Sequence, residues 1–200
     1  MARKPLILAL CGAAAATLLL AQNTFKHSPA SSYPSVMNIG KLKIAAVRYE
    51  SDTETKQAFG KVNPNEYGVL PVLLILENVG DQTLLLDRMK VVYQYPGNEV
   101  LPIAATDLPY LLGVKRPNSG VKYPSPIPLP KKKNPLSAIE LQTRAFAAKT
   151  IIKGDSASGF FYFETRYRKS AVIYVTGIRE AITNKELFFA DVPLDSPVPE

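Results

Sequence analysis

The stretch Tyr67–Tyr95, YGVLPVLLILENVGDQTLLLDRMKVVYQY, decides the fold. Along an extended chain Leu70, Val72, Leu74 and Leu76 fall on one face and Val69, Leu73 and Ile75 on the other, so the segment offers water no polar face. A strand of that kind is covered on both sides and therefore central. Beyond the turn Asn78-Val79-Gly80-Asp81, residues Met89, Val91, Tyr93 and Tyr95 alternate with Arg88, Lys90, Val92 and Gln94. That is the period of two of a strand with one buried and one wetter face. The two strands are expected to pair as the central hairpin of a β-sandwich. Pro71 has no N–H for a ladder and belongs near the strand's start or at a bulge.

Working outward, Lys41–Glu50 reads as a first strand whose faces change parity between Leu42/Ile44 and Val47/Tyr49, which a bulge near Ala45-Ala46 would reconcile. Ser51–Glu66 is a polar connection with a turn at Asn63-Pro64-Asn65. Pro96-Gly97-Asn98 closes a further hairpin into Glu99–Ile103. Ser137-Ala138-Ile139-Glu140 has capping-box spacing and predicts a short helical turn to about Ala147. Strand patterns return at Thr150–Ile152, Ser158–Glu164, Ala171–Ile178 and Glu186–Val192. Phe160 and Tyr162 oppose Phe161 and Phe163, so the second of these is also central. Short strands at roughly ten-residue intervals predict an all-β sandwich or barrel.

The N-terminus carries Arg3 and Lys4, an uncharged run from Leu6 to Ala21, and then polar residues from Gln22. This is the build of a signal peptide, residues 1–21, cut after Ala21 or, because Leu19 is large for the position three before the cut, at Ala16 or Ala30. The alternative is an uncleaved anchor, for which the run is short of the usual ~20 residues. Leu8-Ala9-Leu10-Cys11 is an imperfect lipobox, and lipidation at Cys11 is the less favoured membrane attachment. Either route makes the domain extracytoplasmic, periplasmic or secreted. Cys11 is the one cysteine, so the mature domain has no disulfide. Residues 22–36 read as a flexible Ser- and Pro-rich linker, 37–194 as one sandwich domain and 195–200 as a tail.

The formal charge of +7 is local. The insertion loop 108–135 holds Lys115, Arg116, Lys122, Lys131, Lys132 and Lys133, seven prolines and no acid. Without these six and the two N-terminal cations the chain has 16 basic against 17 acidic residues. Such a loop is long for a compact domain, and its prolines give it polyproline stiffness. Tyr110 and Tyr123 stand among its cations, and aromatic groups beside basic ones recognise anionic head groups, glycans or acidic partners. The bland alternative is that the lysines keep a long exposed loop soluble. The candidate binding residues are therefore Tyr110, Lys115, Arg116, Lys122, Tyr123, Lys131, Lys132 and Lys133.

No catalytic set assembles. Gly154-Asp155-Ser156 invites comparison with a nucleophilic serine, but the single histidine, His27, lies far upstream in the linker, and the residues after Ser156 depart from the known elbow patterns. Metal and cofactor sites are not expected, with one histidine and no ligand cluster. Nucleic acid suits the charge but not the exported address.

The phrases LPVLLILENVGDQTLLL and KGDSASGFFYFE resemble the telokin-like, immunoglobulin-type domains of exported bacterial proteins of unknown function. The positions that carry it are Asn78, Gly80-Asp81 and Gly159-Phe160, within about Lys41–Leu194. The resemblance implies a single Ig-like antiparallel β-sandwich of about 7–9 strands, and no catalytic residues. The expectation is a non-enzymatic protein that contacts an envelope protein or an anionic envelope surface. The competing expectation is a small-molecule or carbohydrate binder with a cleft lined by Tyr110, Tyr123 and Tyr95.

Overall fold

The computed structural model describes residues 25–112 and 133–197. Its strands are β1 (Met37–Ile39), β2 (Leu42–Arg48), β3 (Leu70–Asn78), β4 (Leu84–Leu85), β5 (Lys90–Tyr95), β6 (Asn98–Val100), β7 (Pro102–Ile103), β8 (Thr150–Ile151), β9 (Ser156–Phe163), β10 (Val172–Thr176), β11 (Arg179–Glu180) and β12 (Ala190–Asp195). Two short helices, α1 (Asp52–Phe59) and α2 (Ile139–Thr143), accompany them. The fold is all-β in its framework, as expected. None of the described helices is long and apolar enough to cross a membrane.

Nine strands form one hydrogen-bonded path in the order β6-β5-β10-β12-β2-β3-β9-β7, with β1 added beside β2. The two ends of this path, β6 and β7, are consecutive in the chain and separated only by Leu101. One extended segment therefore pairs with β5 through Tyr93↔Val100 and with β9 through Ile103↔Tyr162, nearly closing the sheet into a barrel. This differs from the antiparallel sandwich of the sequence reading in two ways. The sheet is continuous, and β12 runs parallel to β2, with Leu194 opposite Ala46.

The apolar run of β3 is explained by its position. It pairs with β2 from Leu42↔Asn78 to Arg48↔Val72 and with β9 from Leu70↔Phe163 to Glu77↔Ser156. On the inner face Val72, Leu74 and Leu76 meet Tyr93, Ile173 and Val192 from the opposite wall. On the outer face Leu73, Ile75, Phe160 and Tyr162 form a second core, covered by Phe59 of α1, Leu141 of α2 and the segment around Ala30 and Tyr33. Each fully buried aliphatic or aromatic side chain contributes roughly 1.5–3 kcal/mol of transfer free energy, so both faces demand a cover. A second sheet, β11-β4-β8, seals one end of the inner core with Leu84, Leu86, Ile151 and Ile178.

Several expectations are corrected. The segments 70–78 and 90–95 do not form a hairpin, because β3 pairs with β2 and β9 whereas β5 pairs with β6 and β10. The residues between them form β4 in the small sheet, and the chain arches from one wall to the other. No bulge interrupts β2; its register is regular, and its change of parity reflects burial on both faces, with Ile44 in one core and Val47 in the other. The polar stretch after Glu50 contains α1, started by a capping box in which Ser51 accepts from the Glu54 N–H and Glu54 from the Ser51 N–H. The second such pattern makes no box. Ser137 Oγ donates to the Asn134 carbonyl at 2.6 Å, Ala138 takes the cap position, and α2 ends at Thr143.

The final strand starts at Ala190 rather than Glu186, which leaves Phe188 and Phe189 outside it and exposed. The expected hairpin at Pro96-Gly97 is present, with Tyr95 opposite Asn98 and Gly97 at a φ of 81°. Phe25–Val36, read as a mobile linker, packs on the body: Ala30 is buried and its N–H donates to Glu77 Oε1 at 2.6 Å, Tyr33 is 3% exposed, and the Ser35 N–H donates to Asp195 Oδ2 at 2.9 Å.

Candidate functional site

The base of the basic loop is built from two facing 3₁₀ turns, Leu108–Tyr110 and Pro135–Ser137. Leu108 and Leu136 are both fully buried in the outer core. Asn134 ties the turns together: its Nδ2–H donates to the Pro109 carbonyl at 2.6 Å while its Oδ1 accepts from the Leu136 N–H at 3.0 Å. The intervening chain thus leaves and re-enters the body at one pinned point. Tyr110 stands half-buried on the first stem and Lys133 exposed on the second. Lys115, Arg116, Lys122, Tyr123, Lys131 and Lys132 lie outside the described residues.

Asn134 was not singled out from sequence. The signal was there in Asn134-Pro135, since an Asn before Pro favours turn initiation by bonding the backbone two residues on.

His27 is the second surprise. Its Nδ1–H donates to the Ser28 carbonyl at 2.8 Å, which leaves Nε2 to accept the Ser158 hydroxyl at 2.8 Å. A neutral imidazole taking a serine proton is the first link of a nucleophilic dyad. Here the group behind the ring is a backbone carbonyl, and Ser158 sits in a regular ladder opposite Ile75. The geometry is that of a clasp fastening the N-terminal segment to β9. Phe25 continues it, its ring 5.4 Å from Phe160 and 5.8 Å from Tyr49, with the Arg144 guanidinium 5.3 Å from its centroid. A cavity of about 170 Å³ beside the clasp is lined by His27, Ser28, Tyr33, Tyr49, Gln57 and Pro197. Burial pushes the Tyr33 and Tyr49 phenols up.

Gly154-Asp155-Ser156 is a turn: Asp155 Oδ1 accepts from the Ser156 N–H at 2.8 Å, and β9 begins there. His27 reaches Ser158 and not Ser156. Tyr95 packs its ring 5.8 Å from Tyr93 and lines an open depression of about 580 Å³ with Gln94, Gly97, Asn98 and Glu99, all from its own hairpin. Tyr110 belongs to the loop stem. Among the described residues no group of three or more His, Cys, Asp or Glu is placed to hold a metal ion.

No family profile matches this chain, and no curated protein is similar enough to count as a relative.

Proposed function

We propose that this is a non-enzymatic, extracytoplasmic β protein that works by contact with an envelope protein or an anionic envelope surface through its basic loop. The observation that carries this reading is the pinned loop base, where Asn134 holds Pro109 while Leu108 and Leu136 fill the outer core. A pinned base gives the proline-rich, cationic sequence between its two stems a fixed point of exit. Ordering such a loop on a partner costs less entropy than ordering a glycine-rich one. The segment around Ala30 and Tyr33 packs into the same outer core as the loop stems Leu108 and Leu136, which supports reading the two together. Likeness to the immunoglobulin-type domains of exported proteins belongs to the same reading and rests on the phrases around Asn78 and Gly159.

Replacing Lys131, Lys132 and Lys133 with Ser tests it. Thermal stability is expected to stay nearly constant, while association with anionic vesicles or envelope fractions weakens, most at low salt, since screening acts over a Debye length of about 8 Å at physiological ionic strength. Unchanged association of the triple variant overturns the reading and leaves the loop a solubilising insertion.

A further inference from the structure

Where the small sheet seals the inner core, the turns that enter β2, leave β3 and leave β11 surround a cavity of about 270 Å³. Backbone bonds fix these turns to one another: the Val79 N–H donates to the Lys41 carbonyl and the Ala181 N–H to Thr83, each at 2.9 Å. Leu42, Leu84 and Leu187 supply the apolar part of the lining, the first two from the inner core itself and the third packed against it. Lys41, Asp81, Gln82 and Glu180 supply the polar part. At ~30 Å³ for each water the space takes roughly nine waters, or a compound of roughly nine non-hydrogen atoms. The mouth of a barrel, with apolar walls and a few converging polar groups, is a usual place for a ligand.

The charged groups of the lining are not paired with one another. Among the described residues neither Asp81 nor Glu180 enters a salt bridge, although Lys41 shares the cavity with them. Glu180 accepts the Thr183 hydroxyl at 2.6 Å through one oxygen and keeps its charge. The Lys41 stem is held against Gly80, where an added Cβ would come within 2.8 Å of Lys41 Cβ. Gln82 contributes an amide oxygen that is buried and meets no donor among the described residues. Buried polar atoms are ordinarily bonded, so this one needs a donor from elsewhere. The lining thus sets two carboxylates and an orphaned acceptor against a single cation.

An anion would face both carboxylates, and a purely apolar molecule would leave all three acceptors without donors. A primary ammonium group carries a positive charge and three N–H donors, one for each of them. We propose that this cavity binds a small primary ammonium compound with an apolar body, its N–H groups on Asp81, Glu180 and Gln82 Oε1 and its body against Leu42, Leu84 and Leu187. A carboxylate beside the ammonium would meet Lys41, so the same chemistry takes an apolar α-amino acid as well as a simple alkylamine, and leucine is of the size the space holds. The inference goes beyond the envelope reading above and uses no residue of the basic loop.

Titration calorimetry of the full chain with leucine, isoamylamine and N-acetylleucine tests it. Leucine and isoamylamine are expected to bind, and N-acetylleucine, which lacks the ammonium, is not. Leucine binding more tightly than isoamylamine supports the proposal with an amino acid as the source; the reverse order supports it with an alkylamine. The amide chemical shifts of Gly80 and Gln82 are expected to move on binding. Asp81→Asn combined with Glu180→Gln is expected to weaken affinity about tenfold or more, from the loss of two charge-assisted bonds. Leu187→Trp, which fills the cavity, is expected to abolish binding; thermal melts without ligand show which variants fold, and either one that folds is decisive. Equal affinity for N-acetylleucine, parental affinity in a folded variant, shifts confined to other residues, or no binding of either ammonium compound at millimolar concentration overturns the proposal.

Discussion

Asn78 closes β3 with its side-chain amide against Ile152, Nδ2–H to carbonyl at 3.1 Å, on the strand-turn that the neighbouring β9 grows from. The same amide reaches the Gln82 carbonyl at 2.7 Å, and Asn78 Oδ1 accepts from the Gly80 N–H at 3.1 Å. Its backbone donates to Asp155 and accepts from Gly154. One residue, 2% exposed, thereby sets two turns against each other. Asn78→Ala strips the Gln82 carbonyl and the Gly80 N–H of their side-chain partners and is expected to cost about 2 kcal/mol or more, read from urea unfolding. Asn78→Asp is expected to be worse, because a carboxylate would face carbonyl oxygens.

Gly159 is required by a neighbour rather than by its own dihedral angles. A Cβ there would overlap the Phe146 backbone, where the Phe146 N–H donates to Phe160 at 3.0 Å. Gly159→Ala is expected to cost about 3 kcal/mol, since the colliding atoms are main chain and cannot swing away. Gly177, at a φ of 79° and against the Arg88 carbonyl, should be similarly intolerant. Thermal melts of the two alanine variants check both, and near-parental stability of either would contradict the packing described.

What was legible in the sequence was burial, and what was not was adjacency. The unbroken apolar parity of Leu70–Leu76 and Phe160–Phe163 identified two central strands, which do lie side by side. Parity is silent on which strands adjoin, so Tyr67–Tyr95 reads as one hairpin although its two strands pair with other partners and share only the inner core. The parallel β12–β2 pair joins residues nearly 150 apart, and no local pattern announces such a partner. His27 and Ser158, 131 residues apart, were invisible as a pair for the same reason. The N-terminal segment misled because its composition is that of a linker, while its few apolar groups, Phe25, Ala30 and Tyr33, each fill a place in the outer core. Of the proposed binding residues, Tyr110 and Lys133 fall on the loop's two stems, and the rest lie outside the described residues.

Alkali should unfold the protein through its tyrosines. Burial raises Tyr33, Tyr49, Tyr93 and Tyr162 above the ordinary value of 10.0. A group whose folded value is raised adds stability that is complete below the unfolded value and is lost as the pH climbs past it. Stability is therefore expected to hold up to about pH 10 and to fall beyond it. In a phenolate absorbance titration these four of the ten tyrosines should ionise only together with loss of the native fold. Free titration of all ten in a still-folded protein would contradict their burial.

At acid pH the sensitive contact is Asp87 with Arg179. Arg179 is 9% exposed, and its Nη2 donates to both Asp87 oxygens, at 2.8 and 3.0 Å. Those hydrogen bonds hold the Asp87 carboxyl below its ordinary value of 3.8. The stabilisation is thus complete above that value and is lost as the pH falls through the lower, folded one. Asp87→Asn should lower stability at neutral pH and flatten its dependence on pH in the acid range. An unaltered acid limb in the variant would show that Asp87 is not the group responsible.

The last of the described strands is not the last in the sheet. β12 lies between β10 and β2, while the two ends of the strand path are joined by the continuous segment Asn98–Ile103. The architecture is that of an arch with Ala190–Asp195 as its keystone: without that segment the two walls have nothing between them and the inner core stays open. Removing a terminal strand from most sheets trims an edge; removing this one splits the barrel along its middle.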